Sequence, residues 1–414
     1  MIYIEREIES SIIKWLDTKE ILIIRGSRQS GKTTLLNRLK EMLISKGVGK
    51  ENIHYLTFED VVLRMKFEEN PKEFIEFYAS GKGKKKNYFL LDEVQYIQDI
   101  GQKLKLVFDL FSEIKIIISG SSSFDLTTLG EYLVGRAIFF DLYPFSFAEF
   151  LKTKGKNYEQ LYNKIKIDIT KKTIQIKKTI FIDDLNKLLQ EYLTFGSYPR
   201  VVLEKDVAKK KELLKNLFIT YIEKDIVARY GIKYREETVK LMKALASSTG
   251  NVTNYETLTI HSGLKYNEVR KILPILEDSF VITLLKPFYK NLLHELRKNP
   301  KIYFIDFGFR NYLLERFEQI DYDYLYENFV LNELKRKNKI FYWRTTSKAE
   351  VDFIIEGKNE IIPIEIKTTP KITRSFRSFI QHYKPDKAFI INTKIIGITK
   401  INNCTIYKIP LVYL

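Results

Sequence analysis

The chain has a single cysteine, Cys404, in 414 residues, with only four histidines and two tryptophans. One thiol cannot build a disulfide framework. The histidines, His54, His261, His294 and His382, are scattered, so neither the Cys/His spacing of a zinc site nor a Ser-His-Asp arrangement is discernible. No apolar run reaches the roughly 18 to 20 residues that a membrane-spanning helix requires. The opening segment MIYIEREIESSIIKWL mixes acids with aliphatics at helical spacing, unlike the basic-then-apolar order of a signal peptide. These absences predict a cytoplasmic protein with no membrane partner.

What is present is apolar content of 45%, enough for two or more cores in a chain too long for one ordinary domain, and a formal net charge of +17. The charge favours a polyanionic partner, DNA or another nucleic acid, through the long-range field and counterion release on phosphate binding. Lys and Ile are abundant along the whole chain, so a general compositional bias accounts for the same excess.

The stretch EILIIRGSRQSGKTTLLNRL reads as an apolar strand (Ile21 to Ile24), the pattern Gly26-x-x-x-x-Gly31-Lys32-Thr33, and a helix with Leu35, Leu36 and Leu39 on one face. This is a phosphate-binding loop in its required context. Backbone N–H groups across Gly26, Ser27, Arg28, Gln29, Ser30, Gly31, Lys32, Thr33 and Thr34 are expected to wrap the phosphates of ATP at a helix N-terminus. Lys32 would reach the β- and γ-phosphates, and the Thr33 hydroxyl would ligate Mg²⁺. Further on, NYFLLDEVQ predicts a buried strand ending in Asp92, which would orient the metal's water shell, followed by Glu93 to polarise an attacking water. A third strand, IKIIISGSSS, ends in hydroxyls, of which Ser119 or Ser121 is the candidate to sit beside the γ-phosphate. Parallel strands each followed by a helix imply a covered sheet with nucleotide at its carboxyl edge.

The middle of the chain is less informative. GKGKKK (Gly81 to Lys86) reads as a soluble turn, and the lysine-rich run Lys152 to Lys178 as either a solvated lid or a nucleic-acid-facing surface. Thr253-x-x-Glu256 predicts a capping box opening a helix that stops near Gly263. YNEVRKILPILEDSF and VITLLKPFY follow as helix and strand, a winged-helix order, with Pro274 interrupting the second helix. Arg270 and Lys271 are countered by Glu268, Glu277 and Asp278, which favours docking or a lid role over base reading.

In EVDFIIEGKNEIIPIEIKTT, two strands flank the turn Gly357-Lys358-Asn359. Alternation puts Asp352 with Glu350 on one face of the first strand and Glu365 with Lys367 on one face of the second, so pairing would bring carboxylates and a lysine together. Glu327, on a helix from about Tyr322 to Lys337, falls on one face with Tyr324, Leu331 and Leu334, where an uncompensated carboxylate would be costly.

The loop together with LLDEVQ, IIISGSSS, LVGRAIFFDLYPFSFAEFL, TFGSYPRVV, YIEKDI, KIYFIDFGFRNYL and YENFVLNEL resembles the archaeal and bacterial AAA-type ATPases that carry a C-terminal restriction-endonuclease-like, or PD-(D/E)XK, domain. The resemblance implies an α/β chain with a P-loop ATPase domain at 1–150, a helical lid and linker at 151–245, a winged-helix-like module at 246–300 and a nuclease-like α/β domain at 301–414. It offers Arg136 or Arg200 as the arginine that reads the γ-phosphate. It implies that Asp352, Glu365 and the helical Glu327 hold Mg²⁺ or Mn²⁺ while Lys367 neutralises developing charge. The function it implies is ATP hydrolysis coupled to action on or near DNA, with metal-dependent phosphodiester cleavage as one output. The other is an ATP-gated switch whose inactive nuclease-like domain only grips a partner, a protein included. A structural carboxylate–lysine cluster is the alternative to the metal site.

Overall fold

The computed structural model describes residues 3–80, 86–121, 131–222, 226, 234–288, 299–318, 322–358 and 360–414. The chain divides into two compact units, Met1–Pro144 with Glu223–Tyr230 and Asp278–Phe280 in the first, and Phe145–Ile222, Gly231–Glu277 and Val281–Leu414 in the second. Most of the GKGKKK run, 81–85, and much of YIEKDI fall outside the described residues.

In the first unit β1 (Ile21–Gly26), β2 (Ile53–Thr57), β3 (Asn87–Asp92), β4 (Ile114–Ser121) and β5 (Ala137–Asp141) form a parallel sheet in the order β2-β3-β4-β1-β5. Strand side chains alternate between faces, and here both faces are apolar. Ile21, Ile23, Phe89, Leu91, Ile116 and Ile118 enter one core. Leu22, Ile24, Leu90 and Ile117 enter another, where Leu35, Leu36 and Leu39 of the helix Lys32–Ser45 meet them. The chain leaves β1 for the far strand β2 and returns through β3 and β4, so the carboxyl end of β1 lies at a change of strand order, where ligands of open α/β sheets bind.

The second unit contains a mixed sheet in the order β12-β13-β11-β10-β9-β8 and a hairpin of β6 and β7. Its strands are β6 (Ile282–Leu285), β7 (Lys301–Phe304), β8 (Ile340–Arg344), β9 (Glu350–Glu356), β10 (Ile361–Ile366), β11 (Lys387–Asn392), β12 (Gly397–Ile401) and β13 (Cys404–Pro410). β9 and β10 pair antiparallel, as the sequence predicts, and β10 and β11 pair parallel through the amphipathic helix Arg374–Tyr383, whose Phe376, Phe379 and Ile380 pack with Val351 and Ile354. The lysine-rich stretch is partly regular, with the helices Phe147–Lys154 and Lys156–Ile165 leading into irregular chain.

Two local expectations are corrected. Thr253 does not cap the helix Tyr255–Ser262. Its hydroxyl donates to the Pro300 carbonyl at 2.6 Å, and Asn254 is the cap, its side chain accepting from Thr257 N. The helix does end at Gly263, in the left-handed region at φ 78°. Pro274 does not interrupt the following helix, which runs Tyr266–Asp278. Burial of Val269, Ile272, Leu273 and Leu276 along one stripe outweighs the single backbone bond that proline removes.

Two segments singled out in the sequence, TFGSYPR and FIDFGFR, meet at their glycines. A Cβ on Gly308 would lie 2.0 Å from the Phe195 carbonyl oxygen, and one on Gly196, itself at φ +81°, would lie 2.3 Å from Asp306. Asp306 is buried beside them and accepts from Ser197 N (2.6 Å), Ser197 Oγ (2.9 Å) and Phe309 N (2.7 Å). Burial raises its carboxyl above the ordinary range, with these donors opposing. Gly308→Ala gains helix propensity of about 1 kcal/mol, yet its methyl meets backbone that cannot move aside as a flexible side chain would. We expect a net loss of about 1–3 kcal/mol, read as a lowered melting temperature. An unchanged or raised melting temperature would show that the two segments are not in this close contact.

Candidate functional site

Construction of the first site begins at the end of β1. Gly26 leaves no room for a side chain, since a Cβ there would sit 2.2 Å from the Leu142 carbonyl oxygen. The loop then reverses through Gln29 and Gly31, at φ 59° and 99°, into the helix Lys32–Ser45, which has no side-chain cap. Uncapped first-turn N–H groups at a helix N-terminus are suited to an anion. Lys32 is buried, and its Nζ donates to the carbonyls of Gly26 and Ser27, both at 2.9 Å, so its ammonium is held over the loop. Ser27 Oγ and Ser30 Oγ are buried with no hydrogen-bond partner, polar groups that a phosphate would satisfy.

The strand ends supply the rest. Asp92 is 2% exposed. Its Oδ2 accepts from Thr33 Oγ1 and from Tyr55 OH, each at 2.8 Å, and its Oδ1 accepts from Ser119 Oγ and from Glu93 N. Thr33 and Asp92 therefore meet as the sequence predicts, and their hard oxygens fit Mg²⁺. Of the two candidate hydroxyls Ser119 is the one on Asp92, while the side chain of Ser121 lies outside the described residues. Glu93 takes the left-handed conformation at φ 57°, and its carboxylate accepts from Gln95 Nε2. Thr34 is exposed and Arg28 half-buried on the same loop and helix start.

Arg136 is a correction. It precedes β5, its carbonyl accepts from Ile21 N at 2.8 Å, and its guanidinium donates to Asp109 at 3.0 Å. It therefore stands at the amino end of the sheet. The five steps from Ile21 to Gly26, at ~3.3 Å each, put it roughly 16 Å from the loop of its own chain. Arg200 is exposed on the helix Pro199–Leu203 of the second unit.

Two residues were not foreseen. Tyr55 has no sequence signal beyond its place near the end of β2, and burial together with Asp92 raises its hydroxyl above the ordinary phenol range. Arg6 is buried and donates to the Ser30 carbonyl at 2.8 Å and the Tyr143 carbonyl at 2.6 Å, bracing the loop from the N-terminal segment.

In the second unit Asp352, Glu365 and Lys367 do converge. Ile366 N donates to Asp352 Oδ2 at 2.7 Å, and Lys367 Nζ lies 3.6 Å from Glu365 Oε1. Glu365 is 3% exposed, and its Oε2 has no hydrogen-bond partner. Burial raises its carboxyl, with Lys367 and Thr373 opposing. Burial and then the charge of Glu327 push Asp352 up to about 7, against Lys301. Burial lowers Lys367, but Asp352 and Glu365 outweigh it and hold the ammonium above its usual value.

Glu327, expected as a metal ligand, is engaged otherwise. Lys301 of β7, 2% exposed, sets its Nζ 3.1 Å from Glu327 Oε1 and 2.6 Å from Glu350 Oε1, and Tyr303 OH donates to the same Glu327 oxygen. Burial opposes the Lys301 charge, but Glu327, Glu350 and Asp352 more than restore it. Among the described residues no group of three or more His, Cys, Asp or Glu is placed to hold a metal ion. The buried carboxylate that called for a counter-charge receives an ammonium, so the expected Mg²⁺ or Mn²⁺ ligand set does not fit these residues as arranged.

Comparison with known proteins agrees with part of this geometry. Residues 18–151 match the family described as an AAA domain, and residues 186–320 and 322–412 match two domains of unknown function, DUF8612 and DUF4143. An uncharacterized protein of Haemophilus influenzae is 27% identical over 363 residues, covering 86% of this chain and 84% of that protein. The uncharacterized protein MJ1544 of Methanocaldococcus jannaschii is 28% identical over 407 residues, covering 95% and 84%. Among solved structures, domain III of the Thermotoga maritima replication initiation protein DnaA aligns with 18% identity and a TM-score of 0.30 over 52% of this chain and 94% of that one, a likeness too low to carry an argument. Among the described residues no helix is long and apolar enough to cross a membrane. A P-loop and Asp92 meeting at the carboxyl edge of a five-stranded parallel sheet, together with the match over 18–151, support an AAA-type ATPase family for this segment of the chain.

Proposed function

We propose that the chain is a Mg²⁺-dependent ATPase that works as a switch, and that its C-terminal domain is a nuclease-like module that grips a partner on or near DNA. The observation that carries the first part is the Thr33–Asp92–Ser119 network beside buried, unpartnered loop hydroxyls. In this reading the N–H groups of residues 27–34 wrap the phosphates and Lys32 faces the β- and γ-oxygens. Thr33 and Asp92 hold Mg²⁺, whose charge offsets that of the phosphates when bound. Glu93, aimed by its left-handed backbone, orients the attacking water.

For the C-terminal domain, the pairing of Asp352 with Glu365 and Lys367 on adjacent strands supports a restriction-endonuclease-like origin. Lys301 on Glu327 favours the non-cleaving output over metal-dependent phosphodiester cleavage. The net charge of +17 supports a nucleic acid as the partner, and the winged-helix-like segment at 246–300 is read as docking or lid. Of the two candidate arginines, neither is assigned to the γ-phosphate.

Lys32→Ala should lower ATP turnover by about 100-fold or more, because the transition-state charge loses its preorganised counterpart. Glu93→Gln should slow turnover comparably while ATP affinity stays within about threefold, since a water-orienting group acts in the transition state. Turnover unchanged in the first, or affinity abolished in the second, contradicts these roles. Incubated with Mg²⁺ or Mn²⁺, the protein should bind duplex, branched and single-stranded DNA in a salt-sensitive manner and leave each intact. Metal-dependent cleavage that Asp352→Ala removes would establish the nuclease output instead.

A further inference from the structure

Between Lys164 and Lys178 the sequence KIKIDITKKTIQIKK has six lysines, one aspartate and no aromatic residue. In the fold it is not a free tether. Ile165, Ile167 and Ile169 are buried in the second unit, while Lys164, Lys166, Lys171, Lys172, Lys177 and Lys178 are exposed. Ile167 N donates to the Tyr413 carbonyl at 2.6 Å, and Tyr413 OH donates to the Lys177 carbonyl at 2.7 Å, so both ends of the stretch 167–177 are tied to one buried residue. Its middle is held by Lys387 of β11, whose buried ammonium donates to the carbonyls of Thr170 at 2.9 Å and Lys171 at 2.7 Å. The lysines are thereby gathered on a closed loop instead of being strung along an extended chain.

Gathered like charges repel one another, a cost that a polyanion relieves. Other lysines of this unit meet carboxylates: Lys154 and Lys210 on Glu191, Lys339 on Glu356, Lys394 on Asp183. The one acid of the run, Asp168, is turned onto its own backbone, accepting from Thr170 N at 3.0 Å and Thr170 Oγ1 at 2.6 Å. Burial works against its charge, but those bonds and then Lys171 and Lys337 hold its carboxyl below the ordinary range. Lys337, exposed just past the helix Tyr322–Lys335, thus adds a further cation near the loop.

We propose that this loop is a docking surface for the phosphate backbone of duplex DNA. It rests on the nucleic-acid part of the function proposed above and gives that part a place. Lysines on a fixed loop supply charge and counterion release without reading base edges, so the hold is independent of sequence. A duplex fits better than a single strand, because the run has no aromatic side chain on which unpaired bases could stack. It also fits better than a bilayer. Ile165, Ile167 and Ile169 are turned into the protein and Ile174 and Ile176 are half-buried, which leaves Ile180 and Phe181 just beyond the run as exposed apolar side chains. Two such side chains fall short of the apolar face with which a protein lies in a membrane surface.

The test measures binding of the full chain to a short mixed-sequence DNA duplex by fluorescence anisotropy, in chelator and across a salt series. The ridge variant carries Lys171→Gln, Lys172→Gln, Lys177→Gln and Lys178→Gln. A control with the same loss of charge carries Lys14→Gln, Lys46→Gln, Lys50→Gln and Lys240→Gln, all at exposed positions away from the run. The ridge variant should bind about 10-fold or more weakly, and its slope of log affinity against log salt should shrink by about 2 to 4, since each phosphate contact contributes roughly 0.9. The control should keep most of the native slope, and the ridge variant should keep native ATP turnover. If the ridge variant fails to fold, the pairs Lys171→Gln/Lys172→Gln and Lys177→Gln/Lys178→Gln should each remove about half of that slope. A native slope in a folded ridge variant, or an equal loss in the control, overturns this surface and leaves the nucleic-acid reading standing. A native chain that does not bind the duplex overturns both. Preference for phosphatidylserine vesicles over the duplex at equal phosphate, lost in the ridge variant, would assign the loop to a membrane surface and also overturns the proposal.

Discussion

The first unit depends on satisfying one buried carboxylate, that of Asp92. A buried carboxylate is tolerated only when donors surround it. Asp92 collects four, from the start of the P-loop helix (Thr33), the end of β2 (Tyr55), the end of β4 (Ser119) and the next backbone N–H (Glu93). The three side-chain donors belong to segments far apart in sequence. Satisfying a single charge therefore brings three strand ends and one helix start into register at the edge where the phosphate loop lies. Gly26 closes the same edge from the other side by backing directly onto Leu142. In this sense the metal-binding acid of the proposed reaction also organises the fold.

The second unit meets the same physical demand in another way. Its carboxylates are too many for neutral donors, and an ammonium from a neighbouring segment takes a central place among them. Breaking one member of such a network costs more than its pairwise distances suggest, because the charges left behind are already desolvated. The contrast separates the two clusters chemically. Hydroxyls around Asp92 can yield to a hydrated Mg²⁺, whereas the charge of Glu327 and Glu350 is already met by a buried lysine.

Much of the first site was legible because its signals are local. A strand, a glycine-bounded loop and a helix follow one another within the span from Ile21 to Leu39, and Asp92 ends an unbroken apolar run. Which end of the sheet Arg136 occupies was not legible. That depends on the parallel pairing of β5 with β1, a contact between segments more than a hundred residues apart. Thr253 and Asn254 are adjacent and both able to cap. The choice fell to Asn254 because the Pro300 carbonyl draws the threonine hydroxyl away. The convergence of Asp352 with Glu365 could be read from strand alternation, but Lys301 could not. A lysine opening the run KIYF looks like a soluble strand end until the hairpin carries it beneath Glu327.

The most direct measurement of the central claim is the Mg²⁺ dependence of ATP affinity, by titration calorimetry in metal and in chelator, for the native chain and for Asp92→Asn. The account predicts that Mg²⁺ strengthens ATP binding to the native chain and loses most of that effect in Asp92→Asn, while affinity in chelator is retained. Equal strengthening by Mg²⁺ in both chains would contradict it, because Asp92 would then be a structural carboxylate with no part in holding the metal.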